Sequence, residues 1–312
     1  MQPVWHSQRM FLTLCALVMA GRCAGKVAFA DDAGNAEIRG PAGKSRIVIR
    51  TTNRLAGAID SLVWNGKQFI DSTDHGRQLQ SASNFDVGAA FEPETFNPTE
   101  AGSRFDGAGP TSSSRLLRIA ARDNVLETTV QMAFWLRPGE KSDGHPARNT
   151  TVLSNHLLKK KVTIGVAGLP QVIEYTATFT VPAAERHTFA QFEAVTGYMP
   201  AEFSQFLAYD VGRKELVPLS DGPGEQNRPV VLATGDGRFA MGVWSPDQPS
   251  PGYEAAGYGR FRFRAEKVVK WNCVFRIRDQ AGIKPGDYTF RSLILVGTQQ
   301  DVEQALRRLT AN

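Results

Sequence analysis

The stretch AIDSLVWNGKQFI, residues 58–70, decides the fold. Two short runs rich in branched and aromatic residues flank Asn65-Gly66. That dipeptide readily adopts the left-handed conformations a tight hairpin turn requires. The reading is a pair of antiparallel strands turning at Asn65-Gly66.

Outward from this hairpin, the hydrophobic period stays near two. Alternating or apolar runs at 46–50, 115–121, 125–136, 160–166, 172–181, 190–195, 229–233, 238–244, 258–264, 268–278 and 288–295 read as further strands, separated by Gly, Pro, Asn and Asp. The exception is 301–309, where Val302, Ala305, Leu306 and Leu309 recur at helical spacing behind Asp301. Many strands and one helix imply an all-β fold: a large antiparallel β-sandwich, supersandwich-like, with one short C-terminal helix. Residues 45–312 are expected to form a single β-sandwich domain, with two sandwiches divided near Lys159 as the alternative. Residues 31–44, small and polar, read as a flexible N-terminal segment.

Residues 1–30 have the layout of a signal peptide: Arg9 in a basic start, the apolar run MFLTLCALVMAG, and Ala28-Phe29-Ala30 as a cleavage pattern. The expected localisation is export to the periplasm or the extracellular space after cleavage near Ala30. Arg22 before Cys23 argues against a lipoprotein, and the apolar run is too short for a membrane span. Loss of Arg9, Arg22 and Lys26 lowers the net charge from +5 to +2. The basic balance therefore gives no reason to expect nucleic acid as a partner. Cys15 and Cys23 leave with the leader, so Cys273 remains alone and no internal disulfide can form. Its alternation with Trp271, Phe275 and Ile277 makes it a core residue.

Two long loops break the strand spacing, at 83–114 and 137–150. Loops of this length in a compact fold are functional or disordered, and Phe85, Phe91, Phe96 and Phe105 suggest that the first is packed down. Just before it lies DHGRQLQS, residues 74–81, with an acid, an imidazole, a guanidinium and two amides around Gly76. His75 is a candidate acid/base and Arg77 a candidate anion fork. Gln78 and Gln80 would share a strand face, suited to sugar hydroxyls. The competing reading has Asp74 and Arg77 satisfying each other within a turn. Glu100, in NPTEAGSR beside Asn97, is the carboxylate chosen as partner for His75, and Arg148-Asn149 lie at the base of the second loop. Asn149-Thr150-Thr151 is formally a glycosylation sequon.

No G-x-S-x-G, H-E-x-x-H, C-x-x-C or Walker pattern is present. Gly235-Asp236-Gly237 is followed by strand-like FAMGVW rather than a helix, so it reads as a hairpin turn and no dinucleotide cofactor is expected. Asp71, Asp74 and His75 lie on one stretch without a distant partner, so no metal is expected. His156 and His187 read as surface residues. Glu193 with Tyr198 could be presented at a sheet edge, and Trp244 is either core or a sugar-stacking platform. In RFRFR, 260–264, the phenylalanines are expected to face the core. Arg260, Arg262, Arg264, Arg276 and Arg278 would then share one outer face, offered to a polyanion or to acids of a neighbouring strand.

LAGAIDSLVWNGKQFID, residues 55–71, also resembles the start of galactose-mutarotase-like β-supersandwiches, where G-x-I-x-S-L-x-x-N-G is a familiar opening. The last strand, YTFRSLILVG, followed by a short helix, is compatible with the same architecture. The resemblance implies a carbohydrate-related surface of the kind found in aldose epimerases, glycoside hydrolase domains and polysaccharide lyases. The epimerases' N-H-P histidine element is absent, so none of their catalytic residues is carried across.

These readings converge on an exported carbohydrate-active protein. His75 and Glu100 are the expected catalytic pair for lyase, hydrolase or epimerase chemistry, with Arg77, Gln78, Gln80, Asn97, Arg148, Asn149 and Trp244 binding substrate. The alternatives are a non-catalytic binding module for acidic polysaccharide and a structural envelope protein.

Overall fold

The computed structural model describes residues 28–166, 168–246 and 257–311. Most of the leader, residues 1–27, lies outside them. The hairpin turns where expected, with Ile59–Trp64 and Lys67–Gln68 paired and both Asn65 and Gly66 at positive φ.

Two antiparallel layers follow from the strand pairing. In the first, Ala36–Ala42, Ser45–Thr51, Ile59–Trp64, Leu79–Phe85, Phe189–Pro200, Val268–Arg278, Tyr258–Phe263 and Gly224–Gln226 are joined in that order. In the second, the order is Arg115–Arg122, Val125–Phe134, Leu153–Val166, Leu169–Val181, Gly286–Gly297, Ala240–Trp244, Val230–Ala233, Gln205–Asp210 and Glu215–Pro218. The short strand Pro98–Thr99 bridges the layers. Between them the core closes through aromatic contacts, Phe192 lying 5.1 Å from both Phe179 and Phe290, and Phe275 stacking on Phe290 at 4.5 Å. Cys273 is buried in this core, as its alternation with Trp271 and Phe275 implied.

The helix Gln299–Leu309 starts at a Thr298–Asp301 capping box and buries Val302, Ala305 and Leu306 on the far side of the second layer. The apolar cluster it joins there includes Val172, Leu293 and Leu295 of that layer.

Two expectations change. The segment 31–44 is not a flexible lead-in throughout: Ala36–Ala42 is a strand that buries Ala36, Ile38 and Ala42. Small residues hid its alternation, and residues 29–30 pair with its start at 36–37. The five arginines do not share a face. Tyr258 is opposite Cys273 in the core, so Arg260 pairs with Trp271 and Arg262 with Val269, while Arg276 pairs with Gln191 on the opposite face. Asp221 pairs with Arg262 and Arg264, uncharged oxygens of Ser220 and Gln226 accept from Arg260, and Phe261 and Phe263 turn outward.

The long loop is fastened by a charge pair with no exposure on either side. Lys160 and Glu100 bond to each other, Lys160 also donates to the Gly57 carbonyl at 2.9 Å, and Glu100 accepts from the Ser81 N–H at 3.0 Å. Breaking one half of such a pair strands a buried charge, at a cost of about 3–5 kcal/mol. Lys160→Met alone is therefore expected to lower unfolding stability by about that amount in urea titrations. Lys160→Met combined with Glu100→Leu should recover most of the loss, and equal loss in both variants would refute the pairing as its cause.

Candidate functional site

The expected polar centre is built into the scaffold. His75 is buried, its Nδ1 lying 2.7 Å from the Gly107 carbonyl and its Nε2 2.9 Å from the Arg54 carbonyl. Both ring nitrogens are thus engaged by backbone. Glu100 is held as described. Gln78 donates to the Asp74 carbonyl, and Gln80 donates to the Gly76 carbonyl while accepting from the Ala101 N–H. Asn97 donates to the Ser83 carbonyl, and Asn149 to the carbonyls of Leu136 and Thr151. Gly102, at φ 122°, has no room for a side chain beside Asp106 and Ser112. Together these bonds tie 74–80 and the long loop to the sheets, and each of these buried side chains has at least one backbone partner.

Arg77 pairs with Asp74 at 3.0 Å within its own turn, the arrangement expected of a structural role. Trp244 is partly buried and packs against the margins of both apolar clusters. Two of the expected set, Arg148 and the buried Asn149, line a cleft of about 570 Å³. Phe96 is buried against Phe134, and Phe91 packs edge-on against Phe189, so this part of the loop is packed down; Phe105 instead lies exposed beneath the Arg137 guanidinium.

The outer face of the first layer carries a different constellation. Directly opposite residues share a sheet face, and Tyr198, Lys270 and Phe261 lie in one row across three strands. The Lys270 ammonium sits 5.1 Å from the Tyr198 ring centre and 5.3 Å from that of Phe261. Phe263 is near-parallel to both rings, at 20° to Tyr198 and 13° to Phe261, with ring centres 6.2 Å away in each case. Glu193 accepts from Lys270 at 3.2 Å, and their side chains are only 15% and 12% exposed. Further along the same face, Arg276 bonds to Gln191 and makes a two-pronged pair with Glu225. The sequence pairing of Glu193 with Tyr198 was informative, although the two lie within the sheet rather than at its edge.

Electrostatics fix the charge states of this row. Burial alone would lower the Lys270 ammonium, but Glu193 and Tyr198 reverse that and hold it well above the usual lysine range. Burial raises the Tyr198 phenol; Lys270 opposes the rise, while Glu193 and Glu94 add to it. The face therefore offers a cation, a carboxylate and a protonated phenol side by side.

A second cluster lies where sequence reasoning expected surface residues. His156 and His187 are both buried, and both aim Nε2 at one oxygen of Glu185, at 2.7 and 3.0 Å. Burial would raise Glu185, but the bonds from His156 and His187 outweigh it and hold the carboxyl at about 2. Burial lowers His156, with Glu185 acting against the shift. The clue was parity: along Leu153–Val166, His156 and Lys160 occupy the same inward phase as Leu158 and Val162.

No protein-family model matches the chain, and no curated protein does. Among solved structures, the chain is similar to an alpha-mannosidase from Enterococcus faecalis V583, with 11% identity over 92% of this chain and 32% of the mannosidase and a TM-score of 0.48. It is similar to the Slr1438 protein of Synechocystis sp. PCC 6803, with 8% identity over 84% and 96% of the two chains and a TM-score of 0.44. A candidate mutarotase, YeaD, from Salmonella typhimurium has 8% identity over 87% and 96%, with a TM-score of 0.35. The likeness to the mutarotase-like architecture is weak, and nothing about the site is drawn from it.

The raised Lys270 and Tyr198 make a signed prediction. A group whose folded pKa lies above its unfolded one contributes stability below the unfolded pKa and loses it as pH rises. Stability should therefore fall as pH climbs above about 10, where lysine and tyrosine of the unfolded chain lose their protons. Lys270→Met should flatten this alkaline limb in denaturant titrations at stepped pH. An unchanged limb would contradict the assigned interactions.

Proposed function

We propose that this is an exported protein that binds a saccharide on the outer face of the first layer. The observation that carries the reading is the near-parallel arrangement of Tyr198, Phe261 and Phe263 around a recessed Lys270–Glu193 pair. A pyranose ring has one face of C–H groups that packs on aromatic rings and a rim of hydroxyls that need donors and acceptors. Glu193 supplies an acceptor, Lys270 a donor, and the Tyr198 phenol can serve as either. The leader-like residues 1–30 support export. The buried His75–Glu100 region supports this face indirectly, by holding the loop that carries Glu94 toward Tyr198.

The charge arrangement favours a neutral sugar over an acidic polysaccharide. Lys270 is matched by Glu193 and Arg276 by Glu225, so these two cations are already compensated. Arg77 and Arg262, which an acidic glycan would have used, are paired with Asp74 and Asp221. An enzyme version of the reading uses the same row, with Glu193 accepting a proton and Tyr198 donating one across the bound sugar.

The test is a neutral and acidic oligosaccharide panel against the mature protein, followed by calorimetry of the best ligand. Phe261→Ala and Phe263→Ala should each weaken binding about five-fold, corresponding to about 1 kcal/mol per lost ring contact. Affinity should change little between low and high salt. Binding that ignores both substitutions, or no glycan binding at all, would overturn the proposal; strong salt dependence would transfer it to acidic glycans. Turnover, followed as new reducing ends or unsaturated products, should vanish in Tyr198→Phe if the enzyme version holds.

A further inference from the structure

The cluster of His156, Glu185 and His187 is separate from the aromatic row and plays no part in the proposed sugar site. His156 comes from the strand Leu153–Val166, while Glu185 and His187 come from the connection that precedes Phe189–Pro200. One ligand atom from each lies within 4.8 Å of the other two. Phe85 and Phe96 wall both rings, with Phe85 at 4.8 Å from His156 and 4.6 Å from His187.

The His187 Nδ1 lies 2.6 Å from the Asp86 carbonyl, which can only accept, so Nδ1 carries a proton and Nε2 is the ring atom left for a ligand. Nε2 is aimed at Glu185 Oε2 at 3.0 Å, and a metal ion would take the place of a proton shared between them. Asp86 is itself fixed, its carboxylate accepting from the N–H groups of Thr188 and Phe189 and from the Thr188 hydroxyl. Such an outer bond is what orients a metal-binding imidazole. Two nitrogens of buried imidazoles and one oxygen of the partly exposed Glu185 converge, a donor set that a cation can bridge in place of a shared proton.

We propose that His156, Glu185 and His187 form a binding site for a divalent transition metal, with zinc as the best match. Two nitrogen donors and one oxygen donor suit zinc, whose bonds to such atoms are about 2.0–2.2 Å long. Placing an ion between the three requires Glu185 to draw back from the rings, and the ligand atoms, now within 4.8 Å of one another, to close to the bond lengths zinc takes. The Glu185 side chain, 20% exposed, has room to draw back. Two clefts, of about 880 and 570 Å³, both include Glu185 and His187 in their walls. They supply a path for the ion and leave a coordination position for water or a ligand oxygen.

The experiment uses untagged mature protein, stripped with EDTA and titrated with zinc chloride by calorimetry and thermal unfolding. One zinc per chain should bind with sub-micromolar Kd and raise Tm, and cobalt should give the visible absorption of a low-symmetry site. Glu185→Gln and His187→Gln should each weaken zinc at least a hundred-fold, while His145→Gln at the exposed loop tip leaves it unchanged. Glu185→Gln preserves shape at a partly exposed position, so it remains informative if the buried histidine variant fails to fold. Wild-type protein that binds no zinc, or Glu185→Gln that binds it as tightly as wild type, would overturn the proposal.

Discussion

Two opposite charges removed wholly from water hold this protein's irregular half to its regular half. Lys160 rises from the second layer, Glu100 descends from the long loop, and neither side chain has any exposure. Each would be intolerable in the core without the other. The Gly57 carbonyl and the Ser81 N–H complete the pair, and the Ser81 hydroxyl is shared with Tyr175 and the Ala194 carbonyl. Burial, with the neighbouring Glu100 charge, pushes the Tyr175 phenol well above its ordinary value, so it stays a neutral member of the network. Through these bonds the loop is placed, and with it Asp86, Phe91 and Glu94. Asp86 then orients His187, while Glu94 acts on Tyr198.

The two surfaces of functional interest follow from strand parity. Tyr258 opposite Cys273 commits one phase of that hairpin to the core, and the other phase must carry Phe261, Phe263 and Lys270 outward. The second layer covers its own outer face with the helix, through Val302, Ala305 and Leu306. The first layer uses its corresponding face for rings and ion pairs. Aromatic area exposed beside a recessed lysine costs stability that a purely structural sheet would have no reason to forgo.

Much of the architecture was legible in local sequence. Asn65-Gly66 marked the hairpin, Val268–Arg278 was bounded to the residue, and the helix followed from four apolar positions. Ala36–Ala42 was hidden because alanine, glycine and proline give little alternation to read. The polar residues of 74–100 were visible as unusual, but their chemistry alone could not show that backbone carbonyls and N–H groups would absorb them. His156 and His187 were misplaced at the surface: His156 shares the inward phase of its strand with Leu158 and Val162. RFRFR failed because its phase depended on Tyr258, one residue pair upstream, and on loops that supply acids to the arginines.

The central claim is that the aromatic row is where a sugar sits. A crystal structure of the protein with its tightest-binding oligosaccharide tests this most directly. The account predicts a pyranose ring packed on Tyr198, Phe261 and Phe263, with a hydroxyl bonded to Glu193 or Lys270. A sugar seated in the clefts beside Glu185 and Arg148, with the aromatic row bare, would contradict it.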